Sequence, residues 1–322
     1  MTCKKMLQGY FASGRYTSAV LFVLSMLVMV SAHWMPVSAL PIDGLPVLFS
    51  GFLSRAVALL LYMLSAALLS RQTFFDREVK WKGALYMWFV AVSTFVNGNV
   101  TIALLSLVFL LSVILLLFCQ YSPGPVGLLY ASFMLLGLLA FISPYALYLI
   151  PLYLLFCSIT NTLSSRGVAA SFLGLLTPFW LVVGTAYVFP RANGIWDSFV
   201  TMLPAVADVD FAGLTFVHLL VLLLVLAVLL PAVFAFVGSA SPAKPLLRRR
   251  LTFVIVANIY LLLLFVIVDG GSGFFYICQL PFVAILASYL FAKKETRMSN
   301  VYMIFINIIM VAMATQSLWL MR

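Results

Sequence analysis

Residues 100–118, VTIALLSLVFLLSVILLLF, decide the fold class. The stretch runs for 19 residues without a charge, a proline or a glycine. As a helix it extends about 28 Å, close to the roughly 30 Å of hydrocarbon in a bilayer. Its polar side chains are three hydroxyls, Thr101, Ser106 and Ser112, which can bond back to their own helix. A helix or strand on a soluble domain would keep a polar face, and this stretch has none. It reads as a membrane-spanning helix, in which every backbone amide is satisfied internally.

Working outward, similar runs recur near 17–35, 48–70, 83–96, 125–142, 145–160, 167–189, 214–237, 251–268, 274–292 and 301–320. The 322 residues are 65% hydrophobic and 8% charged, against roughly a quarter charged in ordinary globular chains. Mean hydropathy is +1.20. The longest polar interval, about 190–213, is too short for a separate folded domain. The expected fold is all-α: a polytopic transmembrane helix bundle of about eleven spans, forming one integral membrane domain over 1–322.

Counting eleven crossings sorts the charges. Of 18 lysines and arginines, 15 fall in gaps on one side: Lys4, Lys5, Arg15, Arg71, Arg77, Lys80, Lys82, Arg166, Lys244, Arg248, Arg249, Arg250, Lys293, Lys294 and Arg297. Arg191 and Arg322 lie opposite, and Arg55 lies inside a stretch. The positive-inside bias then places the amino terminus in the cytoplasm and the carboxyl terminus outside. Five of the eight acids, Asp43, Asp197, Asp208, Asp210 and Asp269, take the outer side.

Three segments are less regular. The 83–96 and 145–160 stretches are short for full spans, so either is tilted, re-entrant or buried against its neighbours, and Ser143-Pro144 and Pro151 break or kink helix where they stand. The basic start and Ala19–Val30 run, followed by Val37-Ser38-Ala39, share features with a cleavable signal peptide. The run continues directly into further spans, so the first helix is expected to be retained.

The net charge of +10 follows from topology, and no basic stripe interleaved with aromatics marks a nucleic-acid surface. Cys3, Cys119, Cys157 and Cys278 form no CxxC and pair with no histidine, which argues against disulfides and a zinc site. Two isolated histidines, His33 and His218, are too few for a metal or haem centre. No Gly-x-Ser-x-Gly elbow or Walker lysine occurs.

Chemistry therefore rests on the outer charges. Arg55, inside the second stretch, pays about 2.5–3.5 kcal/mol at a helix centre on insertion scales, and its fork can grip a phosphate or carboxylate. The plainer reading is that it snorkels to headgroups or pairs with Asp43, about 10 Å of helix away from the boundary. Asp43, in Pro41-Ile42-Asp43-Gly44, is a candidate general base or metal-contacting acid, or an ordinary turn residue. Arg191 opens the longest outer loop, where Ile195–Val206 is apolar enough to lie in the interface. Asp208 and Asp210 form a D-x-D that can meet a divalent cation, though a solvated loop explains it as well. Asp269-Gly270-Gly271-Ser272-Gly273 is a tight turn, not a phosphate loop. The inner basic clusters attract anionic headgroups and are what topology alone predicts.

The middle of the chain has a recognisable order. Leu68-Leu69-Ser70-Arg71 precedes Phe74 to Lys82, then two spans separated by Asn97-Gly98-Asn99. Gly137-Leu138-Leu139-Ala140-Phe141-Ile142-Ser143-Pro144-Tyr145 follows, then Arg166 and Gly174-Leu175-Leu176-Thr177-Pro178-Phe179-Trp180. Over roughly 50–185 this resembles an uncharacterised Bacteroidota family of polytopic inner-membrane proteins, a domain of unknown function. The resemblance implies a Gram-negative inner membrane with the outer face in the periplasm.

More distantly, the layout is similar to polyprenyl-phosphate-dependent glycosyltransferases of the GT-C type. That likeness implies Asp43 as base or metal-contacting acid, Arg55 and Arg191 as holders of the lipid phosphate, and a polyprenyl-phosphate-linked substrate. A divalent cation would be its cofactor, although none is evident in the residues. A non-catalytic subunit or scaffold of an envelope assembly and a transporter are the alternatives.

Overall fold

The computed structural model describes residues 17–31, 47–72, 82–93, 100–120, 125–162, 164–188, 196–197, 199–201, 203, 216–237, 245–291 and 297–319. Among these no strand occurs. The main helices are α1 (Thr17–Ser31), α2 (Val47–Arg71), α3 (Lys82–Val92), α4 (Val100–Phe118), α5 (Val126–Ile142), α6 (Ile150–Ile159), α7 (Ser165–Val188), α8 (Phe216–Val237), α9 (Pro245–Ile267), α10 (Ser272–Phe291) and α11 (Arg297–Trp319). Each falls on one of the expected apolar stretches. Five carry segments long and apolar enough to cross a membrane: Leu53–Arg71, Val100–Phe118, Ser165–Val188, Arg248–Ile267 and Ser272–Phe291.

The two short stretches resolve differently. Pro144 stops α5 and opens a 3-10 helix, Pro144–Leu149, that runs into α6. Because 3-10 turns rise about 2 Å per residue, the combined segment reaches about 27 Å. By contrast, α3 has only 11 residues, all but Trp88 buried. Its described helix extends about 16 Å and is enclosed by protein.

Two boundaries move outward from the expected ones. Pro245 starts α9 six residues before the apolar run, at the first helical position that proline favours. The arginines 248–250 thereby become part of the helix. Similarly α11 begins at Arg297.

The chain divides into two compact units. The first comprises Met1–Ala103, Gly213–Leu262 and Gln279–Arg322; the second comprises Leu104–Ala212 and Leu263–Cys278. In the first, α3 packs against α1, α2 and α11, and α8 packs against α11. Gly83 lets α3 meet α2, since a Cβ there would fall on the Ala66 carbonyl and the Ser70 hydroxyl. Lys82 Nζ donates to the Gln72 carbonyl just past the end of α2, where a cation suits the helix dipole.

In the second unit α5 and α7 form the most extensive helix pair. Gly137 and Gly174 make it close: a Cβ on Gly137 would lie 2.6 Å from the Leu175 carbonyl oxygen, and one on Gly174 would fall on that of Tyr130. Tyr130 Oη and Thr177 Oγ1 then hydrogen-bond at 2.9 Å. Pro178 sits inside α7, buried, where its ring also meets the Gly137 site. Between α4 and α5, Ser112 and Ser132 each donate to the other's backbone carbonyl, at 2.7 and 2.9 Å. From α6, Tyr153 Oη donates to Ser112 Oγ at 3.0 Å. The turn from α6 to α7 closes with Thr162 N donating to Cys157 O at 3.0 Å and Asn161 N to Ser158 O at 3.1 Å. Asn161 takes the left-handed φ of 54° such a cap requires. Ser164 Oγ accepts from Gly167 N at 3.0 Å and starts α7.

Gly174→Val places branched carbon against the Tyr130 backbone, so it lowers stability by about 3 kcal/mol or prevents folding. Gly184→Val on the same helix meets nothing within 4 Å and is the matched control. Thermal melting of the detergent-extracted proteins checks the pair: a large drop for position 174 and little change for 184.

Candidate functional site

Arg55 is the ninth residue of α2, about 12 Å of helix from its start. Among the described helices every other Lys, Arg, Asp and Glu lies within six residues of an end, the next deepest being Arg250, the sixth residue of α9. Arg55 itself is half-buried, and the neighbouring Ser54 is buried. A guanidinium at this depth can take an anionic headgroup, which arginine holds through two parallel N–H bonds.

The expected partners Asp43 and Arg191 lie outside the described residues, as do His33, Asp208 and Asp210. His218, the third residue of α8, is buried in the first unit. Asp269 opens a 3-10 turn, Asp269–Gly271, as a turn residue should.

The second unit gathers aromatic rings at one end. Phe141 of α5 and Phe179 of α7 stand 4.6 Å apart by ring centroid, and Phe199 meets both at 5.1 and 5.4 Å. Trp196 adds to Phe199 at 5.9 Å. Residues 196–197, 199–201 and 203 are helical, with Phe199 buried and Asp197, Val200 and Leu203 exposed. This loop segment is therefore pinned by one ring to the end of α5 and the middle of α7, and it turns further apolar side chains outward, the arrangement of an interfacial segment. Four residues beyond Phe141, Tyr145 covers the turn after α9: a Cβ on Gly270 would lie 2.5 Å from Tyr145 Oη, and one on Gly271 2.9 Å from its ring. Phe275 receives both Tyr145 and Tyr148 edge-on, at 6.2 and 6.1 Å. Only glycines admit the ring so close to the backbone.

Aromatic faces flanking an exposed carboxylate, Asp197, can stack a sugar or a lipid headgroup but supply no acid–base pair. The two-unit arrangement leaves Arg55 and this aromatic end as separate features, one in each unit. Among the described residues no group of three or more His, Cys, Asp or Glu is placed to hold a metal.

The charge-based reading missed the aromatic end, the Ser112–Ser132–Tyr153 network and a buried carboxamide pair, Asn258 and Gln279. The available signal was a neutral polar residue inside each of two successive apolar runs. Which face each occupies becomes visible only once the helices pack.

No family model matches the chain, and neither a curated protein nor a solved structure is significantly similar to it.

Cys119, Cys157 and Cys278 are free and buried. Burial, and then the neighbouring Cys157, pushes the Cys119 thiol up to about 12. A raised thiol value means the reactive thiolate is scarce at every pH below that point. Maleimide labelling of a folded Cys3→Ser variant between pH 7 and 9 should therefore leave all three unmodified, with full reaction after denaturation, read by intact mass.

Proposed function

We propose that the chain is a polytopic inner-membrane protein that handles a polyprenyl-phosphate-linked glycan at its periplasmic face, in the manner of GT-C-type glycosyltransferases. Arg55 holds the lipid phosphate, with Arg191 as a second cation and Asp43 as the base or metal-contacting acid. The observation that carries the reading is Arg55's depth: a guanidinium two turns inside an apolar helix, half-open, where an amphiphile's phosphate would sit.

The orientation belongs to the same proposal. Eleven crossings, with the amino terminus cytoplasmic and the carboxyl terminus periplasmic, put Arg55 in the outer half of the bilayer and keep 15 of 18 basic residues inside.

A second reading, a non-catalytic membrane subunit of an envelope assembly, is favoured by α7. Beyond Pro178 this helix has no buried residue, and Trp180 and Tyr187 are 71% and 91% exposed. Aromatic side chains of that size are common anchors in helix–helix assemblies as well as in the lipid interface.

Mass spectrometry of lipid co-purified in mild detergent tests the first reading. Wild-type protein should retain a polyprenyl phosphate and Arg55→Ala at least tenfold less, with Arg55→Lys between them because it keeps charge but not the fork. Arg71→Ala, at the helix end, should leave retention unchanged. A wild type without polyprenyl phosphate, or equal amounts in Arg55→Ala, overturns the reading and leaves the subunit proposal. For orientation, alkaline phosphatase fused after Arg322 should be active; a fluorescent, cytosolic fusion there overturns the crossing count.

A further inference from the structure

Two carboxamides meet inside the first unit. Asn258 is the fourteenth residue of α9 and Gln279 the eighth of α10, and both are fully buried, at 0% exposure. Counted from the helix ends that flank the intervening turn, they lie about 14 and 11 Å deep, in one layer.

Their nitrogens are committed. Asn258 Nδ2 donates to the Val254 carbonyl at 2.9 Å, one turn back on its own helix. Gln279 Nε2 donates across to the backbone carbonyl of Asn258 at 3.1 Å. These two bonds fix which end of each amide is oxygen, because a flipped amide would set oxygen against oxygen. The oxygens are not committed: Asn258 Oδ1 and Gln279 Oε1 are both buried without a hydrogen-bond partner from the protein.

Two buried acceptors without a protein donor call for one. A metal cation fits poorly. Sodium wants five or six oxygens, neither α9 nor α10 carries an acid, and Arg250 stands only two turns from Asn258 on the same helix. A water molecule fits well, since it brings two hydrogens and no charge. Pro281, two residues after Gln279, breaks the amide ladder of α10 at this level and loosens the helix locally.

We propose that Asn258 and Gln279 form an internal hydration site in the first unit, in which water donates to Asn258 Oδ1 and Gln279 Oε1. Together with the Gln279 bond to the α9 backbone, this water fixes the register of α10 on α9. Either carboxamide alone is a liability; the hydrated pair is a lock.

Nuclear magnetic resonance on the full chain in detergent micelles tests the site directly. The side-chain amide protons of Asn258 and Gln279, assigned through their own connectivities, should show cross-peaks to a long-lived water. Those signals should not move when sodium chloride is replaced by choline chloride. Missing water cross-peaks overturn the proposal, and so does a sodium-dependent shift, which would mean a cation site. Thermal melting gives the second arm. Asn258→Leu and Gln279→Leu should each lower the midpoint by several degrees, and the double variant should recover at least half of the summed loss, because it removes both acceptors together. Additive losses in the double variant count against a shared site; if the single variants do not fold, the wild-type spectra decide.

Discussion

A hydroxyl inside a membrane has no water to bond, and this chain repeatedly turns it back onto its own helix. Ser25 donates to the Leu21 carbonyl, Ser65 to Leu61, Ser70 to Ala66, Ser171 to Gly167 and Thr177 to Leu173, each across one turn. The same constraint explains the reciprocal Ser112–Ser132 pair, where two hydroxyls are satisfied across helices instead. Polar groups can therefore be spent inside an apolar bundle, provided each finds an acceptor within reach. Two that do not, the carboxamide oxygens of Asn258 and Gln279, are where a further partner has to be sought.

The second consequence concerns what holds the helices together. Between helices already surrounded by lipid, burial of apolar area gives little, so dispersion contact and hydrogen bonds decide the packing. The α5–α7 pair shows how: Gly137 and Gly174 remove side-chain bulk at the crossing, and the backbones approach until Tyr130 reaches Thr177. On α7 the buried residues run from Gly167 to Pro178, and beyond Phe179 most residues are exposed. A single helix thus carries a packed half and an unpacked half, divided at its proline.

Much of this architecture was legible in the sequence because hydropathy reports burial in lipid directly, and all eleven apolar stretches became helices. Boundaries were less legible. The start of α9 was missed because Arg248, Arg249 and Arg250 depress the local hydropathy, while the helix obeys Pro245 and its backbone bonds. The character of α3 stayed open between a tilted span, a re-entrant segment and a buried helix, because an apolar run does not reveal whether lipid or protein surrounds it. Of the candidate site, Arg55 stood out by charge alone. Phe199, Tyr145, Asn258 and Gln279 did not, since an aromatic or carboxamide side chain gains meaning only from the face of the neighbouring helix. Asp43 and Arg191 lie outside the described residues, so their relation to Arg55 stays part of the proposal.

Arg55 and the carboxamide pair illustrate two solutions to one problem. A neutral amide leaves half of its bonding capacity satisfied by the backbone and needs only a water for the rest. A guanidinium has five donors and a full charge, and no single backbone carbonyl or water neutralises it. Its insertion cost of about 2.5–3.5 kcal/mol is a sizeable share of a total stability on the order of 5–15 kcal/mol. A phosphate at the same depth cancels the charge and takes two of the donors at once. On the proposed reading the ligand adds its bonds to those Arg55 already makes, and lipid binding and helix stability become coupled at one residue.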